Sequence, residues 1–269
     1  MSLAEQSLRL DRLDRLSYLD TPVHRLDARA KVVATVLFVA TVVSFPKYEV
    51  LSLLPLFLFP VLIAALGDIP GGVIAWRVAL ASPFALFVGI ANPLLDRGTV
   101  PIAPGIALAG GWISFLSILL KFSLSISAAL LLVATTSFPG ICHALSRLGF
   151  PDPFVTQLLF LYRYLFVLLD EASRMVRART SRSFGGGSLP PRMFVRLAGD
   201  LLGRTMERAE RIHGAMLSRG FRGTMPSRKA LSMKTADVSF LLVTAAFLLA
   251  IRFLPIPEAI GGFARSMFP

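Results

Sequence analysis

Long apolar runs, separated by short polar breaks, dominate the chain. A helix needs about 20 mostly apolar residues to cross a bilayer, and five runs come close enough to that length to be predicted as transmembrane helices. They extend from about Val32 to Phe45, Val50 to Leu66, Ala79 to Leu95, Trp112 to Thr136 and Val238 to Leu254. The pattern therefore predicts an all-α membrane protein with about five transmembrane helices.

The polar breaks define the connections between these runs. Pro46-Lys47-Tyr48-Glu49 is so short that the first two runs are predicted to form a helical hairpin, whereas a loop rich in proline and glycine is predicted from Gly98 to about Gly111. Lys31, just before the first run, is expected to snorkel to the lipid headgroups. Lys121, inside the fourth run, is costly to place at the bilayer centre, so it is predicted to lie near an interface or to face the bundle.

One further apolar stretch, from Phe154 to Leu169, contains Gln157 and Arg163 and so differs from the five runs. Its apolar residues recur with helical spacing and form one wide face. They are Val155, Leu158, Leu159, Tyr162, Leu165, Phe166 and Leu169. We predict a helix that packs against the floor of the transmembrane bundle and enters the basic segment described next. A sixth span is the alternative.

The basic residues of the chain are concentrated in one block. Fourteen Lys and Arg lie between Arg174 and Lys234 with only three acids, and charged residues make up only 16% of the 269-residue chain, against about 25% in soluble domains. Because basic segments stay on the cytoplasmic side of a membrane, residues 137–236 are predicted to form a cytoplasmic region of long amphipathic helices. Residues 1–136 would hold a cytoplasmic N-terminal segment and four spans, and residues 237–269 the last span and a short external tail.

This charge also limits the kinds of partner. Anionic membrane lipids suit a basic block, because each Lys or Arg near the surface contributes about 1 kcal/mol to their binding. Nucleic acid is not an expected partner, because no recognised nucleic-acid-binding fold or aromatic stacking motif accompanies the charge.

A short pattern, A-x-x-S-R-[SG]-F, occurs twice inside the basic block, 37 residues apart. The first copy consists of Ala178, Ser181, Arg182, Ser183 and Phe184, and the second of Ala215, Ser218, Arg219, Gly220 and Phe221. Each copy follows a stretch with helical periodicity, and glycines after each copy are plausible helix stops. The repeat therefore predicts one arginine at the C-terminal tip of each of two helices.

The helix before the second copy is predicted to be amphipathic. Leu202, Met206, Ala209, Ile212 and Met216 follow one another in steps of three or four residues and form one apolar stripe. The helix dipole favours an arginine at the tip, and small neighbours leave its guanidinium open to bidentate contacts with a partner's carboxylates. Arg182 and Arg219 are therefore predicted to dock into a partner. Capping of their own helices is the alternative.

The sequence lacks the usual catalytic signatures. It contains no phosphate-binding GxxxxGK[ST] motif and no HExxH or GxSxG motif. His24, His143 and His213 have no partner ligand at helical spacing, and Cys142 is expected to be a packed residue. The chain is predicted to be a non-enzymatic subunit with no bound metal or cofactor.

These features resemble the transmembrane T component of energy-coupling-factor (ECF) transporters. The resemblance rests first on Ser181-Arg182-Ser183 and Ser218-Arg219-Gly220, of which the second is closer to the family's Ala-Arg-Gly type. In the first copy, Ala178-Arg179-Thr180 is a competing register. The segment from Pro22 to Lys31 is similar to the family's lead into its first span, and Tyr162-Arg163-Tyr164-Leu165 to the segment before the first motif. Together they look most like the cobalt-type branch, the CbiQ permease family.

The resemblance implies a function and a set of partners. The chain would be the coupling subunit of an ATP-driven metal-ion importer in the cell inner membrane, with cobalt favoured and nickel or a vitamin as alternative substrates. Two ATP-binding-cassette ATPase subunits would hydrolyse ATP and receive Arg182 and Arg219 in their grooves. A substrate-binding membrane subunit (the S component) and a small accessory membrane subunit would complete the complex. A self-contained secondary carrier and a membrane-anchored scaffold are less favoured alternatives.

In this reading, the apolar faces of the two long helices would move against the substrate-binding subunit while the arginine tips hold the ATPases. Six further residues are predicted to support the coupling helices. They are Ala178, Phe184, Ala215, Phe221, Met206 and Met216.

Overall fold

The computed structural model describes residues 17, 19–95, 99–103, 106–182, 190–223 and 233–253, and most of them are helical. In chain order the helices are α1 (Ala28–Ser44), α2 (Leu58–Leu66), α3 (Gly71–Gly89), α4 (Ala91–Leu95), α5 (Gly110–Thr135), α6 (Phe138–Arg147), α7 (Asp152–Thr180), α8 (Pro191–Ser218) and α9 (Thr235–Phe253). Strands β1 (Thr99–Ala103) and β2 (Ile106–Ala109) form one antiparallel hairpin. The prediction of an all-α membrane protein is confirmed, with this hairpin as its one small addition in the described part of the chain.

The chain divides into two compact units. One unit holds the described residues of Phe138–Ala230, with α6, α7 and α8, and is named the coupling unit after the coupling helices predicted for this part of the sequence. The membrane unit holds the described residues of Leu16–Ser137 and Leu231–Pro269, with α1 to α5, the hairpin and α9.

Among the described residues, four helical segments are long and apolar enough to cross a membrane. They are Gly71–Pro93, Gly110–Thr135, Asp152–Thr180 and Thr235–Phe253. The first two predicted spans are shorter, because α1 has 17 residues and the second apolar stretch covers Leu51–Leu66. The stretch from Phe154 to Leu169 thus belongs to a helix that meets the length and composition of a span.

Three predicted boundaries differ from the structure. The run from Val50 to Leu66 is not one α-helix, because 3-10 turns at Leu51–Leu53 and Pro55–Phe57 precede α2. Pro55 lacks the backbone N–H that a helix interior needs. The third predicted span began at Ala79, but α3 begins at Gly71 and continues through Arg77, which had interrupted the apolar pattern. The predicted loop after Gly98 contains the β-hairpin.

The core of the membrane unit is formed by apolar side chains from α1, α2, α5 and α9 and from the 3-10 turns before α2. Phe38 and Val42 of α1 are fully buried, and the Phe38 ring stacks on Phe59 of α2 with 4.4 Å between centroids. Leu53 and Leu56 of the 3-10 turns, Leu124 of α5 and Leu248 of α9 also belong to the cluster. α1 therefore packs against both α5 and α9 across this core, and α5 packs in addition against α3.

Helix ends meet at one side of this core, and a buried carboxylate joins two of them. Asp237, in the first turn of α9, is 3% exposed. Its Oδ1 accepts a hydrogen bond from Asp27 N (2.7 Å) and its Oδ2 accepts one from Lys234 N (2.7 Å). Asp27 in turn caps α1 by accepting from Arg29 N (2.9 Å). One acidic side chain therefore satisfies backbone donors at the starts of both α1 and α9.

Lys31 completes this junction at the end of α5. Its ammonium donates to Thr135 O over 2.7 Å, and the residue is 5% exposed. The expectation that Lys31 snorkels to the headgroups is therefore wrong. The cation instead lies at the C-terminal end of a helix, where the helix dipole favours positive charge.

Two cations lie at the opposite end of α1. Lys121 of α5 donates to Phe45 O, the carbonyl of the residue that caps α1, and the Arg252 guanidinium lies 5.2 Å from the centroid of the Phe45 ring. Lys121 therefore faces the bundle, one of the two positions predicted for it, and it satisfies a carbonyl that α1 itself leaves open.

We predict that Asp237→Ala destabilises the membrane unit. Each backbone N–H that loses its acceptor costs about 1–3 kcal/mol, and about 1 kcal/mol lowers the Tm of a chain of this size by roughly 2–4 °C. Thermal unfolding of the purified protein in detergent should therefore show a Tm lower by about 5–10 °C, with a smaller loss for Asp237→Asn. Asp200→Ala, which removes an exposed carboxylate of α8, is the control. An unchanged Tm for Asp237→Ala would contradict the role of this junction.

Candidate functional site

The coupling unit is built on two long helices, α7 and α8, that run antiparallel. At one end, Thr156 Oγ1 near the start of α7 donates to Gly223 O just beyond α8 (3.3 Å). At the other end, Arg179 Nε in the last turn of α7 donates to Met193 Sδ in the first turn of α8 (2.8 Å). The 24-residue separation of Thr156 and Thr180 corresponds to about 36 Å of helix. The C-terminal tips of α7 and α8 therefore lie at opposite ends of the pair.

α7 is one continuous helix of 29 residues, so the apolar stretch and the first basic segment belong to the same element. Pro151 precedes it, and Asp152 stands in its first turn, where an acid is favoured by the helix dipole. The stripe predicted from the sequence includes Tyr162, whose ring stacks on Phe138 of α6 with 4.9 Å between centroids. That stripe therefore includes the contact between α7 and α6.

The C-terminal tip of α8 is closed by backbone hydrogen bonds. Phe221 N donates to Met216 O (3.0 Å) and Gly220 N to Leu217 O (3.0 Å), which is the Schellman pattern. Gly220 has φ +79°, the left-handed conformation that glycine adopts without penalty. Ser218 Oγ donates back to Gly214 O (3.0 Å). The end of α8 is thus closed without the side chain of Arg219.

Arg219 occupies the cap position of this closed end. It is exposed, and its guanidinium makes no hydrogen bond or ion pair with any residue that the structure describes. The predicted alternative, that Arg219 caps its own helix with its side chain, is therefore not observed among these residues. The guanidinium is open to a partner.

The C-terminal tip of α7 carries Arg182 in a turn after the helix. Arg182 N donates to Arg179 O (3.0 Å), and Ser181 Oγ donates to Arg177 O (3.1 Å). Arg182 is exposed and its guanidinium has no partner in the described part of the chain. Ser183 and Phe184 of the first motif copy lie outside the described residues, so the two tips are compared only up to Arg182 and Arg219.

The competing register of the first motif has a different geometry. The guanidinium of Arg179 is held against Met193 of α8, whereas that of Arg182 contacts no polar group among the described residues. Arg179 therefore belongs to the contact between the two helices, and Arg182 is the better candidate in the first copy for a contact with another protein.

Glu171 links the two helices near their middle. Its Oε2 accepts from Arg174 on α7 (2.9 Å) and its Oε1 from Arg204 on α8 (3.2 Å). Ion pairs on exposed surfaces contribute about 0.2–1 kcal/mol each, so this bridge selects an arrangement of α7 and α8 more than it adds stability. The sequence favours Asp170 and Glu171 as salt-bridge partners for arginines of the basic block, and Glu171 confirms this. Its pairing with Arg204 in particular could not be predicted, because the two residues are 33 residues apart.

An apolar groove of about 370 Å³ lies between α7 and α8. Phe160, Leu161 and Leu168 line it from α7, while Ala209, Ile212 and Met216 line it from α8. The α7 residues form a second apolar face that the predicted stripe of this helix did not include. With Tyr164 and Val167 on the same face, these residues recur in steps of three and four, which is a helical signal, but the broader stripe on the other side of α7 obscured it.

The residues predicted to support the coupling helices occupy different environments. Met216 and Phe221 line the groove, Ala178 and Ala215 are exposed, and Met206 is 60% exposed.

Cys142 of α6 is buried, and burial raises the pKa of its thiol to about 11. Among the described residues, no three His, Cys, Asp or Glu side chains come together in a way that could hold a metal ion.

Comparison with known proteins adds independent findings. Residues 20–231 match the family model described as CbiQ, cobalt transport protein. The chain is 30% identical over 215 residues to cobalt transport protein CbiQ of Salmonella typhimurium, covering 74% of this chain and 92% of that protein. It is 27% identical to the energy-coupling factor transporter transmembrane protein EcfT of Streptococcus thermophilus (76% of this chain and 83% of that protein) and 29% identical to EcfT of Heliobacterium modesticaldum (76% and 82%).

We predict opposite effects for two glycine substitutions in this unit. Gly220→Ala forces a side chain into the left-handed region at a cost of about 1–2 kcal/mol, which loosens the closed end of α8. Gly214→Ala lies in the interior of α8, where an added Cβ meets open space, and should stabilise the helix by about 0.5–1 kcal/mol. Thermal unfolding should show a lower Tm for the first variant and a higher Tm for the second. Equal shifts would contradict the assigned end of α8.

Proposed function

Because the chain belongs to the CbiQ cobalt transport protein family, we propose that it is the transmembrane coupling (T) component of an ECF-type metal-ion importer. Its α7 and α8 would transmit the movement of ATPase subunits to a separate substrate-binding membrane subunit. ATP would be bound and hydrolysed by those ATPases, and this chain would supply no catalytic group.

The observation that carries this proposal is the position of the two arginine tips. Arg182 and Arg219 belong to helices that end at opposite ends of an antiparallel pair about 36 Å long. A single small groove cannot receive both guanidinium groups at that separation. Two ATPase subunits, each receiving one arginine, fit this arrangement, and a guanidinium suits bidentate contacts with carboxylates in a groove.

The long helices are suited to carry the movement. When the ATPases approach each other, the two tips would be drawn with them, and the angle between α7 and α8 would change. Glu171 bridges the helices near the middle, where a change of angle moves the side chains least, so the bridge can persist as a pivot. The exposed apolar flank of α8, with Leu202 and Met206, would then press against the substrate-binding subunit.

The orientation and composition of the complex follow from the same proposal. The tips must face the cytoplasm, where ATP is available, so the coupling unit and the N-terminus would be cytoplasmic and the C-terminal tail external. A substrate-binding membrane subunit and a small accessory membrane subunit would complete the assembly.

Cobalt is the proposed substrate. The matching family is described as cobalt transport protein, and the Salmonella typhimurium relative carries the same name. The relatives named EcfT match at nearly the same identity, so the sequence similarity of this subunit does not separate cobalt from nickel or a vitamin. Similar identity to both groups of relatives is expected under this proposal, because the substrate would be bound by a different subunit.

We predict that Arg182→Ala and Arg219→Ala each weaken ATPase association and that the double variant abolishes it. The two guanidinium groups would be the anchors of the docking surface, and truncation of such an anchor typically costs 2 kcal/mol or more, or about 30-fold in affinity. Co-purification of the ATPases with the tagged chain and uptake of radioactive cobalt by cells expressing the whole transporter provide the two measurements.

Two matched variants control this experiment. Arg196→Ala removes an exposed arginine of α8 away from the tips, and Arg179→Ala removes the arginine held against Met193. Both should keep ATPase association near that of the parent chain. If the double variant Arg182→Ala/Arg219→Ala still assembles and transports normally, the docking proposal is wrong. Uptake by the purified chain alone would instead favour a secondary carrier.

A further inference from the structure

The groove between α7 and α8 has the size and lining of a ligand site. Its volume of about 370 Å³ falls in the range of roughly 300–1,000 Å³ that is typical of small-molecule sites. It extends along α7 from Gln157 to Leu168, which corresponds to about 16 Å of helix. Its walls are mainly aliphatic and aromatic. A long and narrow apolar shape of this kind suits an extended hydrocarbon chain.

The polar side chains of the groove lining add a charge preference. Arg208 and His213 of α8 lie at the groove and are exposed. Neither forms an ion pair or hydrogen bond with a described residue, and no acidic residue is among those that line the groove. A ligand with an apolar tail and a negatively charged head would therefore find complementary groups in one place.

We propose that this groove binds one acyl chain of an anionic phospholipid, with the phosphate of the headgroup held by Arg208. His213 lies on the same lining and would contribute a ring donor to the headgroup. The lipid would be drawn from the leaflet that the basic face of α8 meets, since helices with an apolar stripe beside clustered cations bind at such interfaces. The proposal does not depend on the docking of Arg182 and Arg219.

The lining favours a lipid over a protein helix as occupant. An amphipathic helix seated here would meet Arg208, a cation that has no acidic partner in the described part of the chain. Such a helix would therefore need an acid at the position of Arg208. A phospholipid brings the phosphate and the apolar chain together in one molecule. Phe221, whose backbone N–H bonds to Met216 O in the closed end of α8, also lines the groove, so the helix end fixes the position of this part of the site.

Native mass spectrometry of the purified full-length protein tests this proposal. The protein is titrated in separate arms with dioleoylphosphatidylglycerol, dioleoylphosphatidylcholine and dihexanoylphosphatidylglycerol, and the dissociation constant of the tightest site is measured. We expect the long-chain anionic lipid to bind most tightly, because only it has both the charge and a chain that fills the groove. Arg208→Gln should weaken it about fivefold and leave phosphatidylcholine unaffected.

Ala209→Trp places an indole in the groove and should abolish the tightest site for both long-chain lipids. Arg196→Gln and Gly214→Trp are the matched controls, because they change charge and bulk on α8 away from the groove, and both should bind lipid like the parent. The elution volume in size-exclusion chromatography and the Tm show whether each variant is folded. If Ala209→Trp is not folded, the Arg208→Gln variant still decides the test.

The proposal is overturned if Arg208→Gln and Arg196→Gln weaken phosphatidylglycerol equally, since binding would then follow the total charge of the surface. It is also overturned if dihexanoylphosphatidylglycerol binds as tightly as the long-chain lipid. A third contrary result is that Ala209→Trp leaves lipid binding intact but releases a co-purified membrane subunit, which would make the groove a protein interface.

Discussion

A helix end leaves backbone groups without partners, and in lipid no water is present to satisfy them. Asp237 accepts hydrogen bonds at the starts of α1 and α9, Lys31 donates at the end of α5 and Lys121 donates at the end of α1. These polar residues of the membrane unit therefore provide hydrogen-bond partners for backbone groups at helix ends. Loss of one of them would leave a buried donor or acceptor without a partner, which is why the packing of α1 against α5 and α9 depends on them.

The coupling unit solves the same problem without using the side chains of Arg182 and Arg219, which have no partner among the described residues. The end of α8 is closed by backbone bonds around Gly220, and Ser218 and Ser181 bond back to carbonyls of their own helices. The side chains of Arg182 and Arg219 are consequently not needed to close the ends of their own helices. Because α7 and α8 are antiparallel, the guanidinium groups of Arg182 and Arg219 are also held far apart, which is what docking to two separate subunits requires.

Much of this could be predicted from the sequence, because apolar runs, charge blocks and a repeated motif are local features. The all-α membrane fold, the last span and the positions of Arg182 and Arg219 after two helices depend on such features. Interactions between distant residues could not be predicted in the same way. The hydrogen bond from Asp27 N to Asp237 joins residues that are 210 positions apart. The local sequence around Lys31 is the same whether its side chain extends to the lipid headgroups or donates to Thr135 O. The groove was missed for a related reason, since α7 has two apolar faces and only the broader one was identified.

The central claim is that each arginine tip meets a different ATPase subunit. The double variant Ser181→Cys/Ser218→Cys, assembled with its ATPases and treated with a short bifunctional thiol-to-amine cross-linker, tests it most directly, because the native Cys142 is buried. The account predicts a product that contains one copy of this chain joined to two ATPase subunits, with each single-cysteine variant joined to one. A product that never exceeds one ATPase per chain, or cross-links from only one of the two tips, would contradict it.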